Sequence, residues 1–164
     1  MVFIRAVGPY DQSAKAAWQQ MRAWIDLHKI PQPIARGIGF IRDNPQKTGP
    51  FLRRYDACID IVPGIDIDYH AGVGRQTLPG GTFAVYTHTG NHNALPDAFA
   101  ELKRDAIPAR GFRIDDTRAF LEIYLDDPLI VPVAECRTEL CVPILATAIA
   151  AFRASDEPVM AKVA

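Results

Sequence analysis

A chain of 164 residues with 49% hydrophobic side chains is long enough for one domain, or a tightly fused pair of half-domains, with a real core. Its 18 basic and 19 acidic residues leave a formal net charge of −1, without the basic surplus that phosphate contacts demand, so direct nucleic-acid binding by this chain is not expected. It shows no block of like charges, no membrane-length apolar stretch and no signal-peptide pattern at Met1, which makes a cytoplasmic protein away from the membrane the default expectation.

In chain order, residues 3–10 read as a strand stopped by Gly8-Pro9. Residues 11–28 turn to helical spacing, with Ala14, Ala17, Trp18, Met21, Trp24 and Ile25 at three- and four-residue intervals. Asp11 is the candidate cap and Ile30-Pro31 the stop. Residues 37–42 read as a strand, Asp43-Asn44-Pro45 as a turn, and 54–62 as a further strand. A connection at 63–81, rich in Gly and Pro, carries an acidic patch at Asp66 and Asp68. The order then restarts: a strand over 82–89 ending at Gly90, and a helix over 95–106 with Phe99 and Leu102 on its inner face. A strand at 119–125 follows, closed by Asp126-Asp127-Pro128, then a last strand at 138–145. Residues 146–152 suit a short helix, and 155–164 a frayed end.

The two series repeat. Asp43-Asn44-Pro45 precedes Asp126-Asp127-Pro128 by 83 residues, Cys58 precedes Cys141 by 83, and Gly8 precedes Gly90 by 82. This spacing implies a duplicated βαββ unit in one α+β domain over 1–164: first copy 1–62, connection 63–81, second copy 82–145, tail 146–164. Such a duplication has pseudo-two-fold symmetry. Its antiparallel sheet is expected to carry both helices on one face and leave the other face for a ligand groove.

The ordered series Gly8-Pro9-Tyr10, Asp43-Asn44-Pro45, Arg54-Tyr55-Asp56-Ala57-Cys58-Ile59, Leu78-Pro79-Gly80-Gly81-Thr82-Phe83-Ala84, His88-Thr89-Gly90, Phe120-Leu121-Glu122-Ile123-Tyr124 and Thr138-Glu139-Leu140-Cys141-Val142-Pro143 resembles the GyrI-like small-molecule-binding domain, also called the AraC-type effector-binding domain. The resemblance spans about residues 3–145. It implies two βαββ units around a ligand groove, with the family's central pocket glutamate at Glu122. It also implies a choice of roles. Such domains sense drugs and other effectors behind a helix-turn-helix DNA reader, bind toxic molecules on their own, hydrolyse cyclopropane-containing alkylating compounds, or inhibit gyrase. A helix-turn-helix pair does not precede the first strand here, so direct regulation of transcription is not expected of this chain alone. Either the natural protein starts short or the chain is a fragment.

Glu122 lies in a strand whose alternation puts Leu121, Ile123 and Leu125 on one face and Phe120, Glu122 and Tyr124 on the other. The aliphatic face suits the helices. A carboxylate between two aromatic rings suits a cationic or hydrogen-bond-donating ligand. The counterpart of Glu122 at the 83-residue offset is Gly39, so one half offers charge and the other space. In an apolar groove the carboxyl would hold its proton more tightly and could act as a general acid or base, with Glu139 as a weaker second carboxylate for a hydrolase. Tyr55, Tyr86 and Phe40 are each candidates for pocket wall or core, Trp24 for a roof over the groove, and His88 for a hydrogen bond to the ligand. Trp18 reads as core.

No metal or cofactor is expected. His88 and His92 are separated by Gly90, in a turn rather than on one helical face, and Asp66, Asp68 and His70 lie in a Gly-rich connection. Gly72-Val73-Gly74 lacks the helix start of a phosphate loop. Cys58, Cys136 and Cys141 read as free, buried thiols. Three functions follow: a binding or sequestering module for a small aromatic or cationic compound, a hydrolase acting through Glu122, and a module with a protein partner or a second copy of itself.

Overall fold

A computed structural model of the chain describes residues 1–30, 36–60 and 72–145. The chain divides into two compact units, Met1–Leu78 and Pro79–Ala164. Both are mixed α+β with antiparallel strands.

The first unit runs β1 (Val2–Val7), α1 (Tyr10–Leu27), β2 (Gly37–Ile41), β3 (Arg54–Ile59) and β4 (Val73–Arg75). β3 pairs with both β1 and β2, and β4 extends the sheet beyond β1. The pairing of β4 was not expected: the sequence reads that stretch as part of the connection. Gly74 explains why a strand fits there, since a Cβ at this position would lie 2.5 Å from the Phe3 ring facing it. The helix begins one residue before the expected start. Pro9, whose extended backbone (φ −53°, ψ 135°) suits the position, stands at the N-cap, and Asp11 lies in the first turn without capping it. α1 ends because Lys29 adopts a left-handed conformation (φ 53°) and Ile30 N–H bonds back to Ile25 O at 3.0 Å. Pro31, the tail helix at 146–152, and Asp66, Asp68 and His70 lie outside the described residues.

α1 places Ala17, Met21, Trp24 and Ile25 against Val2, Ile4, Tyr55, Ala57 and Ile59. Burying each large apolar side chain here contributes roughly 1.5–3 kcal/mol. The opposite face of the same sheet carries a buried ionic network. Asp56, fully buried, accepts from Arg5 at 2.6 and 2.9 Å and from Arg42 at 2.7 Å. Arg42 also donates to Gln76, whose amide donates to the Cys58 sulfur at 2.8 Å. Burial pushes the Cys58 thiol up to about 12, so it stays protonated. All three cysteines are buried and stand outside any disulfide among the described residues.

The second unit runs β5 (Phe83–Thr89), a 3₁₀ turn (His92–Ala94), α2 (Leu95–Glu101), a π-helical turn (Leu102–Ala106), α3 (Ile107–Ala109), β6 (Phe120–Tyr124) and β7 (Arg137–Pro143). β7 pairs with β5 on one side and β6 on the other. Leu95, Phe99 and Ile107 are its buried helical residues.

The two units repeat several hydrogen bonds at equivalent positions. Arg54 reaches Asp43 with its amide (2.7 Å) and its guanidinium (2.7 and 3.0 Å); Arg137 reaches Asp126 with its amide (2.9 Å) and its guanidinium (2.8 and 3.0 Å). Gly8 N–H donates to Arg53 O, and Gly90 N–H to Cys136 O, both at 2.8 Å. The helices end alike, Gly111 (φ 72°) standing where Lys29 stands and Phe112 N–H closing on Ile107 O at 3.2 Å. The offset is therefore 82 from the first strand to the helix end and 83 from β2 onward. The extra residue of the second unit falls in its helix-to-strand connection, between Phe112 and Phe120.

Candidate functional site

Antiparallel register fixes which side chains share a face. In the second unit, one face holds Tyr86–Leu140–Glu122 in one cross-strand row and His88–Thr138–Tyr124 in the next. Ala84, opposite Val142, and Phe120 continue the same columns. The helical segment covers the β6 column of this face. Phe99 stacks at 5.9 Å on Phe120, Lys103 Nζ sits 5.6 Å from the Phe120 ring, and His92 meets Tyr124 edge-on at 5.0 Å. This corrects the expectation that Leu121 and Ile123 face the helix. Hydrophobicity pointed that face inward, but the rings of Phe120 and Tyr124 are the surface on which the helical segment packs.

Glu122 is thus a carboxyl beneath a helix, 7% exposed. The Tyr124 hydroxyl donates to its Oε2 at 2.6 Å. A buried carboxylate requires such donors, and a phenol two residues along the same strand face is placed to supply one. Thr138 is fully buried and His88 half-buried, and neither Thr138 Oγ1 nor His88 Nε2, both shielded from solvent, has a hydrogen-bond partner among the described residues. Tyr86 remains 48% exposed.

The equivalent face of the first unit, which packs on α1, reads Val2–Ile59–Gly37, Ile4–Ala57–Gly39 and Ala6–Tyr55–Ile41. At the repeat offsets Gly39 stands for Glu122, Ile4 for Tyr86, Ala6 for His88 and Tyr55 for Thr138. The Tyr55 hydroxyl accepts from Trp18 Nε1 at 3.1 Å. Met21, the fully buried centre of α1, is matched by Lys103, each thirteen residues beyond its glycine, Gly8 or Gly90.

The structure therefore gathers Glu122, Tyr124, Phe120, Tyr86 and His88 on one face of the second unit. Tyr55, Trp24 and Gly39 belong to the α1 side of the first unit, where Trp24 and Tyr55 are core and the buried Trp24 indole N–H finds no acceptor among the described residues. Phe40, fully buried, lies on the other face of β2, beside Arg42 at 4.6 Å, and so shares no wall with Gly39. Glu139 pairs across from Ile123 and Thr87, on the face opposite Glu122, so the two carboxylates do not converge. Sequence reasoning missed Thr138 and Lys103. The first was legible from the two-residue alternation of β7 once its register with β6 was known, the second from the match with Met21. Among the described residues, no group of three or more His, Cys, Asp and Glu side chains is arranged to hold a metal, and no helix is long and apolar enough to cross a membrane.

Two antiparallel α+β units related by an internal repeat, one with a polar helix face, define the class of this chain. It belongs to the family of the GyrI-like small molecule binding domain, whose model matches residues 1–145. It is similar to a DNA gyrase inhibitor of Serratia proteamaculans, 25% identical over 129 residues that make up 77% of this chain and 81% of that protein. It is also similar to DNA gyrase inhibitor 2 of Dickeya dadantii, 30% identical over 67% of this chain and 69% of that protein. Among solved structures, the C-terminal domain of EcmrR has the same fold, with a TM-score of 0.60 at 14% identity over 88% of this chain and 89% of that one. EcmrR bound to DNA matches with a TM-score of 0.63 at 15% identity, over 87% of this chain and 52% of that one.

Proposed function

We propose that this chain binds a small, aromatic or cationic organic molecule, with Glu122 as its polar anchor, as an effector-binding or sequestering module. The observation that carries the reading is the pairing of a buried carboxyl with the Tyr124 hydroxyl on a face whose counterpart in the first unit is apolar. A fold does not need this polar pair to hold a helix on a sheet, as the first unit demonstrates. A carboxylate flanked by Phe120 and Tyr124 offers a cation both a charge-assisted hydrogen bond and ring faces. Family membership supports a small-molecule ligand. Calorimetric titration with benzamidine and larger planar cations tests it. Native protein should bind at least one of them, and Glu122→Gln should weaken that binding by about 10- to 100-fold, the worth of a charge-assisted contact. Absence of binding across the set, or indifference to the substitution, contradicts the reading.

The names of the curated relatives support a second reading, in which the partner is DNA gyrase. Its test is supercoiling by purified gyrase with and without the protein; unchanged activity at saturating protein sinks it. Hydrolysis through a pair of carboxylates draws no support, because Glu139 stands on the far face from Glu122.

A further inference from the structure

We propose that Thr138 and His88 form a second polar subsite beside Glu122, one that takes an uncharged oxygen of the ligand. This inference rests on the binding role just proposed and adds to it a requirement on the ligand: a donor or cation at one end and a neutral acceptor, such as a carboxamide or ketone oxygen, at the other.

Thr138 is fully buried, and its hydroxyl has no partner among the described residues. A hydroxyl left unbonded in a protein interior is costly, and native structures rarely keep one without a reason. His88 stands directly across from Thr138 in the β5–β7 pairing, on the same face, and its Nε2 is also shielded from solvent and unbonded. That nitrogen lies close to Gly90: a Cβ there would stand 3.6 Å from it. Two unbonded groups, one of them wholly buried, are thus adjacent on the face that bears Glu122. The equivalent row of the first unit has neither. There Ala6 replaces His88, and the Tyr55 hydroxyl that replaces Thr138 is bonded to Trp18.

The register also sets a length. Thr138 is the diagonal cross-strand neighbour of Glu122, a separation of roughly 7–8 Å. That matches a single benzene ring substituted at opposite ends. An amidinium at one end would donate to Glu122. A carbonyl oxygen at the other would accept from the Thr138 hydroxyl and from the His88 ring in its Nε2–H tautomer. Leu140, fully buried in the row of Glu122 and next to Thr138 along the same face of β7, forms an apolar floor under the ring.

The test uses two probes, benzamidine and 4-carbamoylbenzamidine, titrated into the native chain and three variants. In native protein the carbamoyl compound should bind about tenfold more tightly, the gain from one or two added hydrogen bonds. In Thr138→Val that preference should collapse to less than about twofold, and in His88→Leu it should fall part of the way. Glu122→Gln should weaken both probes together and keep their ratio. Thr138→Val should also melt no lower than native protein, since it removes an unbonded hydroxyl at constant shape; a clear loss of stability would show that the hydroxyl serves the fold and would overturn the subsite. If benzamidine binds through Glu122 but the carbamoyl group adds nothing, the subsite falls and the binding role stands. If neither probe binds, both fall.

Discussion

On the α1 side of the first unit, the central row is Ile4, Ala57 and Gly39; in the second unit the same row is Tyr86, Leu140 and Glu122. One scaffold, with the same aspartate–arginine clamps and the same left-handed helix ends, thus carries two kinds of face. In the first, Met21 and Trp24 close over small and aliphatic side chains, and the buried charge is placed on the other side of the sheet at Asp56. In the second, Lys103 and a π-helical turn stand where Met21 stands, and the carboxyl lies beneath the helix. Turns of this helical type are frequent at functional sites. The contrast teaches that a duplicated unit can divide its labour: one copy supplies the core and the other the chemistry.

The largest effect should come from Asp56→Ala. It strips the shared acceptor from the guanidiniums of Arg5 and Arg42 and is expected to destabilise the protein by about 3–5 kcal/mol in urea unfolding. A neutral outcome would remove the view that this carboxylate is structural. Next, Met21→Ala should cost about 2–5 kcal/mol, while Lys103→Ala, at the matching position, should cost less than about 1. Equal costs would break the comparison between the two faces. Smaller still, Glu122→Gln should leave stability within about 1 kcal/mol of native, because the amide oxygen can still accept from Tyr124. A large loss would make Glu122 a structural residue like Asp56.

The smallest effect concerns the twin clamps. Hydrogen bonds from Arg137 hold the Asp126 carboxyl at about 2, below its ordinary 3.8, and Arg54 likewise lowers Asp43. A carboxyl whose folded value is depressed adds stability above its unfolded value and loses it as pH falls. The Asp126 contribution should therefore fade between pH 3.8 and about 2. Both clamps are solvent-facing, so the change in stability is slight and best followed by carboxyl carbon NMR. Arg137→Ala should raise Asp126 toward the ordinary range, with the backbone amide still donating to it; an unshifted titration would show that the guanidinium does not set it.

Much of this was legible in the sequence. The 83-residue offset joined Asp43 to Asp126 and Cys58 to Cys141, and each pair occupies the same place in its unit. The helix at 11–28 was readable because its apolar residues keep one period. Two things were not readable. β4 is three residues long, and its place beside β1 depends on Gly74 admitting the Phe3 ring, a contact that local pattern does not encode. The direction in which Glu122 faces was misjudged because hydrophobicity favours Leu121 and Ile123 as the helix-side residues, whereas packing of Phe99 on Phe120 decides it. For Thr138, alternation supplied the face, but only the pairing of β7 with β5 and β6 placed it between His88 and Tyr124.

The central claim is that the second unit's helix face is the binding face. Chemical-shift mapping with benzamidine tests it most directly. The account predicts the largest perturbations at Glu122, Tyr124 and Tyr86, with only small ones at Met21 and Ala57. Largest shifts at Ile4, Ala57 and Gly39, with Glu122 and Tyr124 unmoved, would contradict it.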